Sequence, residues 1–395
     1  MTASLCVLIG AGRLAGGFIA PLLRAAGWDV VLGCRDATVA NALNAYGGLW
    51  LRTLGPSSHD QWIGGIWAFP LDDPELRRAA ARAQLFATAV GPGGLGEVGR
   101  RLGPLVRQRL DARTVPVNVI AFENHRRSAE LLAAGMFDSE PGLAVEVGSR
   151  LGIAGAAAWR SVARRSAGEA GLVYEADETA ECYVDAAALI DGAPPLDGSI
   201  KGLSPVRPFE RYMVEKLWVF NAGHAAAAYL GWRAGHQTIA ESMADRDVAD
   251  AVRATVEECF AAFNSAFPQA PDRSPLAERS VEWVLSKYTA EALSDPVARV
   301  GREPRRKLAA GDRFIGPAIA ALAAGFQPLA ISRSAAAALS FAVPSDPQAM
   351  DLQRELTHLE PEEVLATVST LDPSEELTRL IAECYRQRAR ALATP

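Results

Sequence analysis

The chain has 395 residues, 49% apolar and 22% charged, with a net charge of −6 and five scattered cysteines. That length supports two domains with separate cores, and the interspersed, slightly acidic charge argues against a nucleic-acid or acidic-membrane partner. Cys6, Cys34, Cys182, Cys259 and Cys384 form no CxxC pair, and the chain passes from Met1 into an apolar run with no basic leader or long apolar span, which predicts a reduced, cytoplasmic protein.

In chain order, the strand candidates are SLCVLIG (4–10), DVVLGC (29–34), AQLFATAV (83–90) and VPVNVIAF (115–122). Helical runs such as GFIAPLLRAAG and PELRRAAARA lie between them. Strands separated by helices predict an α/β, Rossmann-type parallel sheet. A further β-like stretch covers 172–186. DGAPPLDGSIKGLSP (191–205) is rich in turn residues and marks the expected domain boundary. From about 206 onward nearly everything has helical period, with breaks at FPQAPDRSP, DPVARVGREP and VPSDPQ. The expectation is a dinucleotide-binding domain over 1–190 and a mostly α-helical domain over 191–395.

Residues 10–17, GAGRLAGG, join the first strand to the first helix. Gly10 permits the tight turn, Gly12 lets the backbone approach a pyrophosphate, and Ala15 keeps the third position small. The helix start then offers N–H groups to the phosphates. Gly10, Gly12, Arg13 and Ala15 are therefore assigned to the cofactor. Pro21, inside the same helix, predicts a bend. The second strand ends LGCRD (32–36), where an acidic residue normally holds the adenosine ribose. Cys34 takes that place and Arg35 follows, a guanidinium suited to a 2′-phosphate. This favours NADP, with NAD as the alternative if Asp36 takes the ribose.

The run EKLWVFNAGHAAAAYLG (215–231) carries Lys216, Asn221 and His224 in an otherwise apolar helical segment. Helical spacing puts all three within one side, with His224 between the other two. Read from the residues alone, Lys216 is either a proton-transfer group or a snorkelling lysine, and His224 either a ligand-holding group or a satisfied core histidine. No His, Cys and Asp spacing matches a metal site. The cluster Arg302, Arg305, Arg306 and Lys307 is either an anion site or a solvated helix face.

With its flanks, this run resembles the polyol-specific long-chain dehydrogenases (the mannitol dehydrogenase family), and within them the mannitol-1-phosphate 5-dehydrogenases. The matching residues are GAG…GGFIAPLL, ATAVGP at 87–92, NVIAFEN at 118–124, EKLWVFNAGHAAAAYLGWRAGHQTI at 215–239, RVGREPRRKLAAGDRFIGPA at 299–318 and SDPQAMDL at 345–352. The resemblance implies a Rossmann domain followed by a helical domain, a monomer, and metal-independent hydride transfer between a sugar-type ketone and its secondary alcohol. It implies Lys216 as general acid–base, Asn221 and Asn124 as amide donors to the reacting oxygen, and His224 as a substrate contact. Val90, Gly91 and Pro92 fall to the cofactor, and Arg150, Arg302, Arg306 and Lys307 to the substrate or its phosphate. His236 is read as structural, and His125 stays open.

The chain departs from the family pattern in two places. The acidic ribose-binding residue aligns with Cys34. The family's Asp-Arg-Ile-Val-Pro motif aligns with Ser149, Arg150, Leu151, Gly152 and Ile153, so that only the arginine survives. The expected substrate is a small sugar or polyol, phosphorylated as in mannitol 1-phosphate, or a free sugar or cyclitol of specialised biosynthesis. A rival of another class is a nicotinamide-binding redox sensor, which has no need of a proton-transfer lysine.

Overall fold

The computed structural model describes residues 4–55, 57–168, 171–194, 200–268, 280–289 and 295–393. Two compact units divide the chain, residues 1–213 and 214–395. The expected boundary segment 191–205 falls partly outside the described residues, as does most of the 267–275 break.

The first unit contains strands β1 (Leu5–Ile9), β2 (Asp29–Cys34), β3 (Gly48–Thr53), β4 (His59–Gly64), β5 (Ile66–Pro70), β6 (Leu85–Thr88), β7 (Val117–Ala121), β8 (Leu151–Ala158), β9 (Val162–Gly168), β10 (Gly171–Ala176), β11 (Cys182–Asp185) and β12 (Leu203–Val206). The main sheet has the order β12-β11-β8-β7-β6-β1-β2-β5. From β8 to β5 every pairing is parallel, while β11 runs antiparallel to β8. Strands β6, β7 and β8 are buried throughout, as expected for parallel strands covered on both faces. One face packs against the first helix and the second sheet. The other packs against helices Pro74–Ala80, Leu95–Ala112 and Ser128–Ser139. The strand order reverses between β1, whose neighbours are β2 and β6, and a doubly wound sheet binds ligands beyond the carboxyl ends at such a point.

Two features depart from the sequence expectation. The division after Met213 falls later than 190, because β12 pairs with β11 and draws residues 203–206 into the first unit's sheet. A second sheet, β4-β3-β10-β9, joins two segments far apart in sequence. Of its strands, only β10 falls in the expected β-like stretch 172–186. The first four residues of β4 are exposed, and β9 reads VARRSAG, so neither carries the apolar alternation that marks a half-buried strand.

The first helix begins with a π-turn, Ala15–Ile19, in which the Ala20 N–H donates to the Ala15 carbonyl. Pro21 explains it: proline has no N–H and its ring crowds the carbonyl four residues back, so the helix widens just before it. Gly16 and Gly17 then let the helix lie close on the second sheet. A Cβ at Gly16 would sit 2.2 Å from the Tyr174 ring, and one at Gly17 2.5 Å from Val162.

In the second unit, helix Asn221–Ala234 lies among Ile239–Ala244, Arg246–Ala266, Val297–Gly301 and Leu329–Leu339. Its alanines follow from that position. Ala225, Ala226, Ala227 and Ala228 are at most 1% exposed, and only small side chains let so many helices approach one axis.

Candidate active site

At the carboxyl edge of the main sheet, Gly10 has φ of +119°, and a Cβ there would meet the Ala89 carbonyl at 2.6 Å. Gly12 has no such constraint. Its Cβ would find only the Ala89 oxygen, at 3.9 Å, which leaves the open backbone approach that a pyrophosphate needs. Gly91, beyond β6, also has positive φ and open space around it. Arg13 and Ala15 lie at the start of the helix, with Ala15 fully buried. This cradle fits a dinucleotide.

Glu123, which carried no role in the sequence reading, organises the same edge. It is buried beyond β7. One carboxyl oxygen accepts from Thr88 Oγ1 at 2.9 Å and the other from the Val90 N–H at 2.9 Å, so it fixes the segment carrying Val90, Gly91 and Pro92. Its neighbour Asn124 is half-buried just past the end of β7. Burial pushes the Glu123 carboxyl up to about 7, against the opposing effect of its two donors. A folded-state value above the unfolded one favours the folded state while the group holds its proton. That contribution is complete below about pH 4.5 and is lost as pH rises through 7. Glu123→Gln keeps both partners without the charge. Its melting temperature relative to wild type is expected to rise between pH 5 and pH 8, by the equivalent of at most about 3 kcal/mol. Parallel melting curves for the two proteins across that range would show that Glu123 does not titrate between pH 5 and pH 8.

The catalytic candidates of the second unit lie on one continuous stretch. Residues Lys216–Phe220 form a π-turn, and the Asn221 N–H donates to the Lys216 carbonyl. Residues five apart point about 140° apart on an ideal α-helix. The i→i+5 bond of a π-turn draws Lys216 and Asn221 toward the same face, and such turns are frequent at functional sites. Both are buried at 9% exposure. The intervening wall is locked from outside: Trp218 Nε1 donates to the Gly311 carbonyl at 3.1 Å, and Gly316 lies flat against its indole.

His224 follows one turn on. Its ring stacks on Tyr288 with centroids 5.3 Å apart and planes 4° apart. Tyr288 reaches this position because residue 223 is glycine, since a Cβ there would meet its hydroxyl at 2.7 Å. Asp295 Oδ2 lies 3.8 Å from His224 Nε2, and Arg299 pairs with Asp295 in turn. Burial pushes His224 down to about 4, despite the nearby Asp295 carboxylate. The imidazole is therefore neutral at pH 7 and can hold a hydroxyl as donor or acceptor. Tyr288 and Asp295 were missed because neither neighbours the signature in sequence. His236 pairs with Asp245 at 2.9 Å, in line with a structural role, and His125 Nδ1 accepts from the Arg127 N–H at 3.1 Å.

Two of the residues expected to contact substrate have backbone partners in the structure. Arg150 precedes β8 at the amino end of the sheet, opposite the glycine turn. Its guanidinium donates to the carbonyls of Leu110 and Arg113, so it secures the end of a helix. Lys307 is 2% exposed, and its ammonium donates to the Val300 and Arg302 carbonyls. It is an interior strut that gives two of its three ammonium donors to backbone oxygens. Arg302 is exposed. Arg306 keeps a quarter of its side chain accessible and pairs with Glu303 at 2.8 Å. Glu303 itself has φ of +58°, an uncommon conformation for a non-glycine residue, held by a hydrogen bond from its N–H to Asp346. Among the described residues, no group of three or more His, Cys, Asp or Glu is placed to hold a metal ion, and no helix is long and apolar enough to cross a membrane.

A doubly wound unit with an open glycine cradle, followed by a helical unit carrying buried lysine, asparagine and neutral histidine, defines a nicotinamide-dependent oxidoreductase. Comparison with known proteins makes the class particular. Residues 5–144 match the Mannitol dehydrogenase Rossmann domain model and residues 208–387 the Mannitol dehydrogenase C-terminal domain model. The chain belongs to the mannitol dehydrogenase family. It is 29% identical over 385 residues to a mannitol-1-phosphate 5-dehydrogenase of Brevibacillus brevis, covering 97% of this chain and 98% of that protein. Among solved structures, a Pseudomonas fluorescens mannitol 2-dehydrogenase in ternary complex with NAD and D-mannitol aligns with a TM-score of 0.75 at 14% identity, over 100% of this chain and 95% of that one. A D-sorbitol dehydrogenase in substrate-free form aligns with a TM-score of 0.75 at 17% identity, over 99% and 94%. At those identities the two structures show the fold.

Proposed function

We propose that this protein interconverts a sugar-type ketone and its secondary alcohol without a metal, with Lys216 as the general acid–base. The observation that carries the reading is the π-turn that brings Lys216 and Asn221 toward one face of a buried apolar helix, one turn before a neutral His224. In the reducing direction Lys216 gives a proton to the carbonyl oxygen, and in the oxidising direction its neutral amine takes the hydroxyl proton. Asn221 donates its amide to the same oxygen as charge develops there. His224, held flat by Tyr288, orients a neighbouring substrate hydroxyl. Asn124 is proposed as a second amide donor. A bound nicotinamide supplies the hydride exchange.

For the cofactor we favour NADP over NAD. Cys34 stands at the end of β2 in place of an acidic residue, and exposed Arg35 follows it. NAD in the Pseudomonas fluorescens complex keeps the other cofactor in view. For the substrate we favour a phosphorylated ketose, on the relation to the mannitol-1-phosphate 5-dehydrogenase, with Arg302 and Arg306 as the anion contacts. The interior position of Lys307 and the Arg306–Glu303 pair give a second reading some support, that of a free sugar or cyclitol. A reductase screen of NADPH and NADH against phosphorylated and free ketoses, with and without a chelator, separates these readings. The expected result is chelator-resistant turnover of a ketose phosphate with NADPH. No turnover of any ketose or polyol by an enzyme that binds the cofactor would favour the sensor alternative.

A further inference from the structure

Strand β9 of the second sheet brings a third arginine to the cofactor edge. Arg165 on β9 lies directly opposite Tyr174 on β10 in the antiparallel pairing, so the two side chains share one face of that sheet. Both reach the glycine turn. The Tyr174 hydroxyl donates to the Ala11 carbonyl at 3.1 Å, and Arg165 Nη1 donates to the same oxygen at 3.1 Å. The other end of the Arg165 fork, Nη2, lies 3.5 Å from Asp36 Oδ2. One guanidinium therefore spans from the turn expected to hold the pyrophosphate to the end of β2, where a doubly wound domain takes the adenosine ribose.

Asp36 is meanwhile committed elsewhere. Its Oδ1 accepts from the Thr38 and Val39 N–H groups and caps helix Ala37–Tyr46. A carboxylate that caps a helix with one oxygen and pairs with arginine through the other is a poor acceptor for a ribose diol. A guanidinium beside it, about one third exposed, is well suited to a phosphate dianion. We propose that Arg165 recognises the 2′-phosphate of the dinucleotide, with Asp36 and the Ala11 carbonyl holding its guanidinium in register before the phosphate arrives. This rests on the NADP reading and adds the residue that enforces it, delivered from a sheet outside the dinucleotide fold.

The test is titration calorimetry of the full chain with NADPH, NADH and adenosine 2′,5′-bisphosphate, for wild type, Arg165→Ala and Asp36→Asn. Arg165→Ala is expected to weaken NADPH and the bisphosphate about 10- to 100-fold, the loss of one charge-assisted contact. NADH should stay within about threefold, and its retained binding also reports that the variant is folded. Asp36→Asn keeps a capping residue but removes the negative charge, so it should tighten NADPH and leave NADH unchanged. Equal losses of both cofactors in Arg165→Ala would reduce Arg165 to a support for the glycine turn and overturn the proposal. A selective loss of NADH in Asp36→Asn would overturn it too, by returning the ribose to Asp36. A wild-type preference for NADH sinks the NADP reading itself, whereas wild-type NADPH preference with a non-selective Arg165→Ala sinks only the role of Arg165.

Discussion

Lys216→Ala is expected to lower turnover by at least about 100-fold, the usual scale for a lost general acid–base, while NADPH and NADH affinities stay near wild type. The separation is expected because the cofactor contacts proposed for the glycine turn and the end of β2 do not include Lys216. Alanine is the best helix former, and the bond that defines the π-turn uses the Lys216 carbonyl rather than its side chain, so the turn should survive. An unchanged melting temperature would confirm that. Added small primary amines should restore part of the lost rate in the variant and leave wild type unaffected, a response that a structural lysine would not give. Turnover close to wild type at saturating substrate would remove Lys216 from the mechanism.

Arg306→Ala is expected to raise the Michaelis constant for a phosphorylated ketose by about 10- to 100-fold, the equivalent of one charge-assisted hydrogen bond. The constant for the corresponding free ketose should change little. Arg306 is the informative position because Lys307 is locked to the Val300 and Arg302 carbonyls, and replacing that strut would disturb folding. The Arg306 pair with Glu303 gives the experiment a second arm. Binding a phosphate there requires Arg306 to share or leave Glu303, so Glu303→Gln should lower the constant for the phosphorylated ketose. If Arg306→Ala leaves the two substrates equally affected and wild type reduces both, the cluster is a solvated face and the free sugar or cyclitol becomes the substrate.

Much of the fold was legible in local pattern. The four strands read from the N-terminal half correspond to β1, β2, β6 and β7, because buried parallel strands leave continuous apolar runs. The glycine turn was legible because its conformation demands glycine at position 10. Strands β3, β4 and β9 were not: β4 is mostly exposed, β9 reads VARRSAG, and β3 takes its second partner, β10, from far along the chain. Glu123 was within a quoted motif, yet its role depends on Thr88 and Val90, which reach it only through the sheet.

By itself the sequence determined which residue types stand in the signature, the alternation of β1, β2, β6 and β7 with helices in the dinucleotide half, and the absence of an acidic residue at the end of β2. All are local properties, set by spacing along one element or by the side chain at one position. Tertiary structure alone decided which charges are available. Lys307 and Arg150 look from sequence like Arg306, but packing gives their donors to backbone carbonyls, whereas Arg306 pairs with the carboxylate of Glu303. It also decided that Arg165 reaches the glycine turn, because a cross-strand pair with Tyr174 aims it there. A cation's use depends on its desolvation and on the oxygens already around it, and those are set by residues distant in the chain.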